Sequence, residues 1–127
     1  MKSPRVLILF WAPAIAWFLV IHGFSSIPGS DLPETGLLHA DKIFHAIEYF
    51  VLGALLIRAL TGSDIKAGLA KSVFLAIIIT LSYGAIDELY QRSVPGRSCD
   101  FFDFLANCAG SISGIYIFCR NSCKTGE

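Results

Sequence analysis

Val6 to Gly23, VLILFWAPAIAWFLVIHG, runs for eighteen residues with a single ionisable side chain, His22. A lipid hydrocarbon core about 30 Å thick is crossed by roughly 20 helical residues, so this stretch reads as a membrane span. Three more stretches share its character. Ile43 to Leu60 carries only His45, Glu48 and Arg58; Ser72 to Ile86 carries no charge; Phe101 to Cys119 carries only Asp103. The third reaches spanning length by running on through Asp87 to Tyr90, which sets its acids at an interface. The expected fold is therefore all-α: a four-helix transmembrane bundle with helices at about 6–23, 43–60, 72–90 and 101–119, in a single domain over 1–127. A soluble helical bundle is the alternative.

Composition argues against that alternative. Of the 127 residues 54% are apolar and 16% charged, where a soluble domain carries about a quarter charged residues, too few here to coat one. Ten basic and ten acidic side chains cancel, which excludes nucleic-acid binding by bulk positive field. The apolar content excludes a disordered chain. Lys2 and Arg5 ahead of an apolar run also fit a signal peptide. The run is long, however, contains Pro13 and is followed by no clear small-x-small cleavage site, so helix one is read as an uncleaved anchor. Pro13 is expected to bend it, and Trp17 is the tryptophan placed nearer an interface.

Loops are marked at Phe24 to Asp41 by Ser25, Ser26, Pro28, Gly29, Ser30, Asp31 and Pro33, at Thr61 to Lys71, and at Arg92 to Asp100 by Pro95-Gly96. With alternating topology, Lys2, Arg5, Arg58, Lys66, Lys71, Arg120 and Lys124 fall on one side, and Lys42, Arg92 and Arg97 on the other. By the positive-inside rule both termini are expected to be cytoplasmic. Asp31, Glu34, Asp41, Glu48, Asp87, Glu88, Asp100 and Asp103 then lie on or near the external side. Cys99 is placed outside, Cys108 in the membrane, and Cys119 and Cys123 inside, so no structural disulfide is expected.

Three polar stripes gather at the external end. On helix two Asp41, His45 and Glu48 fall within about 60° of one another at 100° per residue, with Tyr49 beside them. On helix three Tyr83, Asp87 and Gln91 are each four apart, with Glu88 adjacent. On helix four Asp100, Asp103 and Asn107 form the third, and Arg97 in the preceding turn is able to reach a carboxylate. Polar groups in a membrane are costly and face the bundle interior or water. Glu48, about 10 Å of helix past Asp41, needs a partner, with His45 and Arg97 as candidates, or a proton.

Several readings of the cluster stay open: helix packing, a ligand or catalytic pocket, or an ion or proton path. The path is disfavoured because the other half of the bundle has no matching acids. As a pocket, His45, Glu48 and Asp87 are the catalytic candidates, with His45 and Glu48 best suited to acid–base work, and Asp41, Glu88, Gln91, Arg97, Asp100, Asp103 and Asn107 form the binding set. As packing, the polar residues lock helices together, and Ala106, Gly110 and Gly114 form a small-residue ridge for a neighbouring helix, or for a second copy in a homo-oligomer. One histidine with several carboxylates is able to hold a divalent cation, but structural zinc uses more His or Cys, and His22 and His39 lie in or near the first loop. No metal and no cofactor are expected.

These same residues resemble the VanZ-like family of small bacterial membrane proteins. Phe24-Ser25-Ser26-Ile27-Pro28-Gly29 looks like that family's end of helix one. Asp41 to Gly53 (DKIFHAIEYFVLG) is similar to its D-K-x-x-H-x-x-E-Y-x-x-L-G segment, and Asp87 to Gln91 (DELYQ) to its D-E-x-x-Q segment. Pro95-Gly96-Arg97 with Asp100, Asp103, Asn107, Gly110 and Gly114 is similar to its P-G-R-x-x-D-x-x-D-x-x-x-N-x-x-G-x-x-x-G stretch. The resemblance implies a multi-pass protein of the bacterial cytoplasmic (inner) membrane and a link to glycopeptide (teicoplanin) resistance, as for the family's named member. The expected ligand is a cell-envelope component, lipid-linked or of peptidoglycan type, with Arg97 suited to its anionic group. The alternative is a non-enzymatic membrane scaffold or assembly subunit.

Overall fold

The structure is a computed structural model and describes residues 4–33, 40–63 and 68–124. Four long helices account for nearly all of it: α1 (Pro4–Ser25), α2 (Ala40–Gly62), α3 (Gly68–Gln91) and α4 (Phe101–Lys124), with a single 3-10 turn at Gly29–Asp31 and no strand among the described residues. Each helix is long and apolar enough to cross a membrane. The helices overrun the expected spans at every end but the start of α4, most at the end of α4, because polar residues such as Lys42 and Arg120 continue a helix past its apolar stretch. Lys2, Glu34, His39 and Lys66, used in the charge reading, lie outside the described residues.

The distribution of side chains is the reverse of a soluble domain. Ile8, Leu19, Phe44, Phe74, Ile86, Leu89, Phe101 and Tyr116 point outward, while His45, Asp87, Glu88, Gln91, Asp103 and Asn107 are buried. Water penalises that arrangement and lipid requires it, so the soluble alternative fails. Two buried hydroxyls satisfy themselves within their own helices: Thr80 Oγ1 donates to the Ala76 carbonyl at 2.9 Å and Ser111 Oγ to that of Asn107 at 2.8 Å.

The tightest seam joins α2 and α4. A Cβ on Gly110 meets the backbone of Ala46, one on Gly114 that of Phe50, and one on Gly53 that of Ser111. The small-residue ridge of α4 thus finds its neighbouring helix in α2 of the same chain. Beneath the polar end, Ile21, Tyr49 and Leu52 pack with Trp17, Phe18 and Tyr83; toward the opposite end Leu56, Ile57, Leu60, Ala76 and Ile115 form the apolar core.

Helix α1 is fastened by its backbone carbonyls. Pro13 lacks the N–H that would bond the Leu9 carbonyl four residues earlier; α1 runs on unbroken, and Arg58 Nη1 donates to that carbonyl at 3.4 Å. Tyr83 Oη donates to the Phe18 carbonyl at 3.0 Å. Trp17 turns inward rather than toward an interface, its indole N–H donating to the Glu48 carbonyl at 2.8 Å. At the polar end the two Pro-Gly turns pack on each other: Gly29 N–H donates to the Pro95 carbonyl at 2.9 Å. Gly96 holds φ at 72° there, and a Cβ on Gly29 would strike its carbonyl.

Candidate functional site

The C-terminal turns of α1 and α3 and the N-terminal turns of α2 and α4 meet at this end. Helical spacing on each element turns its polar stripe inward, and the α2–α4 seam holds two of the stripes close. Three connected groups result.

At the rim, Lys42 Nζ lies 2.7 Å from Asp103 Oδ1, 3.0 Å from Asp100 Oδ2 and 3.1 Å from Asp41 Oδ2. An ammonium has three N–H donors, so all of them are committed. Asp100 also caps α4, its Oδ1 accepting from Phe102 N–H at 2.8 Å, as a residue preceding a helix does. The Lys42 ammonium first, and then that N–H, hold the Asp100 carboxyl below its usual value.

In the interior His45 is the hub. Its Nδ1 lies 3.0 Å from Asn107 Oδ1 and 3.8 Å from Glu88 Oε1, and its Nε2 lies 3.8 Å from Asp103 Oδ2. Glu88 accepts from Asn107 Nδ2 at 3.4 Å and from the Asp100 N–H at 3.2 Å. Beside the hub, Asp87 Oδ2 accepts from Tyr49 Oη at 3.4 Å and from Gln91 Nε2 at 3.5 Å, and Gln91 also donates to Ser25 Oγ at 3.3 Å. These bonds lie at or beyond the long end of good hydrogen-bond geometry. His45, Asp87 and Glu88 are all buried and each offers a ligand atom within 4.8 Å of the others.

His45, Asp87, Glu88, Gln91, Asp100, Asp103 and Asn107 are therefore brought together as one network. Three of the expected site residues stand apart from its core. Asp41 is exposed and touches only Lys42. Glu48 is half-buried, and its carboxylate makes no hydrogen bond or ion pair among the described residues; His45 and Arg97 act on it through space only. Arg97 is half-buried, and its guanidinium makes no hydrogen bond or ion pair among the described residues, so neither partner expected for Glu48 is in contact with it.

Sequence reasoning gave Lys42 no place in the site, counting it only as a topology marker, and overlooked Ser25. The signal for Lys42 was present: a lysine one residue from Asp41 at the mouth of a span faces whatever acids the next helices bring. Ser25 carried no such signal, since only tertiary packing sets α1 against α3. No hydroxyl or thiol among the described residues contacts either ring nitrogen of His45. The arrangement suits binding and proton exchange, not attack by a serine or cysteine nucleophile.

A model of the VanZ/LLP1 family matches residues 7–122, nearly the whole chain. No curated protein and no solved structure matches it.

Proposed function

We propose a function for this chain, which belongs to the VanZ/LLP1 family and is a multi-pass membrane protein: it binds, or acts on, a cell-envelope component through the polar end of its bundle. Arg97 and Glu48 carry this reading. Among the described residues neither side chain makes a hydrogen bond or ion pair, although Arg97 acts on Glu48 through space, while Lys42 is fully committed. Holding two ionisable groups uncommitted near lipid costs free energy, and a ligand bearing both an anionic group and a hydrogen-bond donor offsets that cost. Arg97 takes a phosphate or carboxylate with its forked N–H groups, Glu48 takes the donor, and the His45 network stands behind them. The excess of Lys and Arg at the opposite end supports an external position for this end in a bacterial cytoplasmic membrane, a face on which lipid-linked and peptidoglycan-type molecules are met.

The test is alanine substitution at Arg97, Glu48, His45 and Asp87, with membrane level measured alongside. Native mass spectrometry of the purified protein reads co-purifying envelope lipid, and teicoplanin susceptibility of the expressing strain reads the link that the family resemblance implies. Loss of the co-purifying molecule at unchanged protein level supports the reading; wild-type behaviour of all four well-expressed variants overturns it.

The scaffold reading has its own observation. Among the described residues the one fully buried side-chain polar atom without a partner is Ser63 Oγ, far from the network, so the network is nearly satisfied as a helix lock. It predicts that the same substitutions lower abundance before anything else.

A further inference from the structure

We propose that His45, Asp87 and Glu88 hold a divalent transition cation, Mn2+ or Zn2+, with Asn107 as an additional oxygen ligand. The sequence expectation of no metal rested on counting histidines. Packing changes the donor set, because α3 delivers two adjacent carboxylates to the histidine of α2 and α4 adds an amide. The ligand atoms of the three lie within 4.8 Å of one another, and ligands on opposite sides of an ion at about 2.1 Å stand about 4.2 Å apart. Small side-chain movements bring them to bonding distance.

Two further observations point to a cation. The first is charge. Asp87 and Glu88 are 3% and 2% exposed, their hydrogen bonds are long, and no lysine or arginine forms an ion pair with either among the described residues. The nearby cation Lys42 is spent on three aspartates. Two carboxylates buried in a membrane bundle are costly unless protonated or matched by positive charge, and one divalent cation matches both at once.

The second is the placement of the imidazole. Its Nδ1 lies 3.0 Å from Asn107 Oδ1 and 3.8 Å from Glu88 Oε1, so a cation that displaces the proton shared by Nδ1 and the amide oxygen meets imidazole, amide and carboxylate together. Asp103 Oδ2 faces the other ring nitrogen, Nε2, at 3.8 Å. A carboxylate behind the far nitrogen of a ligating histidine is the common outer-shell partner of such sites. One imidazole nitrogen with several oxygens suits Mn2+ or Zn2+ better than a soft-metal site.

The experiment uses the full chain in detergent micelles, stripped with EDTA and dialysed against Mn2+ or Zn2+, with bound metal measured by mass spectrometry. One ion per chain is expected, together with nitrogen hyperfine coupling from a histidine in the Mn2+ paramagnetic resonance spectrum. Asp87→Asn and Glu88→Gln should each weaken binding by at least about 100-fold, and Asp103→Asn, acting through Nε2, by about 10–100-fold. Asp31→Asn, at an exposed aspartate outside the network, should leave it unchanged. Absence of stoichiometric metal from the wild-type chain, absence of nitrogen coupling, or equal binding by Glu88→Gln overturns the site. The wild-type spectrum decides the matter even if a variant fails to fold. A negative result leaves the Arg97–Glu48 reading intact, because that reading is tested by the co-purifying molecule.

Discussion

The two ends of this bundle are built by opposite means. At one, Leu56, Ile57, Leu60, Ala76 and Ile115 meet through shape alone. At the other, Lys42, His45, Asp87, Glu88, Asp103 and Asn107 meet through charge and long hydrogen bonds. In lipid, apolar contact between helices gains little hydrophobic energy, because the acyl chains are as apolar as leucine; dispersion and close fit do the holding. The apolar end is thus inexpensive and structural. The polar end carries a desolvation cost that packing alone does not require, and such a cost is a mark of function. Substitutions that separate fit from charge test this contrast.

The largest effect belongs to the seam that serves both ends. Gly110→Val drives a branched side chain into the Ala46 backbone, which has nowhere to yield. Overpacking of that kind costs about 3 kcal/mol or more, and the expected outcome is loss of folded protein on size-exclusion chromatography. At the apolar end, Leu56→Ala opens a cavity around a side chain 1% exposed. The usual range of about 2–5 kcal/mol is cut in lipid to about 2 kcal/mol, read as a lower Tm with ligand and metal binding unchanged. At the polar rim, Lys42→Met strands Asp103, whose side chain is 10% exposed. A half-buried ion pair lies between the surface and buried limits, so about 1–2 kcal/mol of stability is expected to go, with Lys42→Arg recovering part of it.

The smallest effect is a pH dependence. Asp100 has a folded-state pKa below its ordinary value. Its contribution is complete above the ordinary carboxylate value of about 3.9 and fades as pH falls through the lower folded value. Asp100→Asn should flatten that acid limb of the stability curve by lowering stability slightly at neutral pH, where the charge contributes, and leave stability below the folded value nearly unchanged. Orientation is checked separately: Cys99 and Cys123 are both exposed, and an impermeant thiol reagent applied to intact cells should label Cys99 alone.

Much of this contrast was legible in the sequence, for identifiable reasons. Charge-free runs such as Ser72 to Ile86 leave a helix no environment but lipid, so the spans could be read directly. Helical periodicity put Asp87 and Gln91 on one face and Asp103 and Asn107 on another, and both pairs are buried. What one helix cannot encode is its rotation against the next. Arg97 reached toward carboxylates on paper and contacts none among the described residues. Lys42, one residue from the expected stripe, became the hub of the rim. The Gly110–Gly114 ridge announced a close neighbour without saying that it is α2.

The central claim is that the polar end is maintained for binding and not for holding helices together. Thermal unfolding of Glu88→Gln against the wild type, both in EDTA and detergent, tests it most directly, since the substitution keeps the shape and an acceptor while removing a buried charge. The account predicts a Tm in EDTA equal to or above that of the wild type, together with loss of ion binding when Mn2+ is restored to a second sample of each protein. A Tm several degrees lower, with ion and co-purifying envelope molecule both retained, would contradict it and make the network a helix lock.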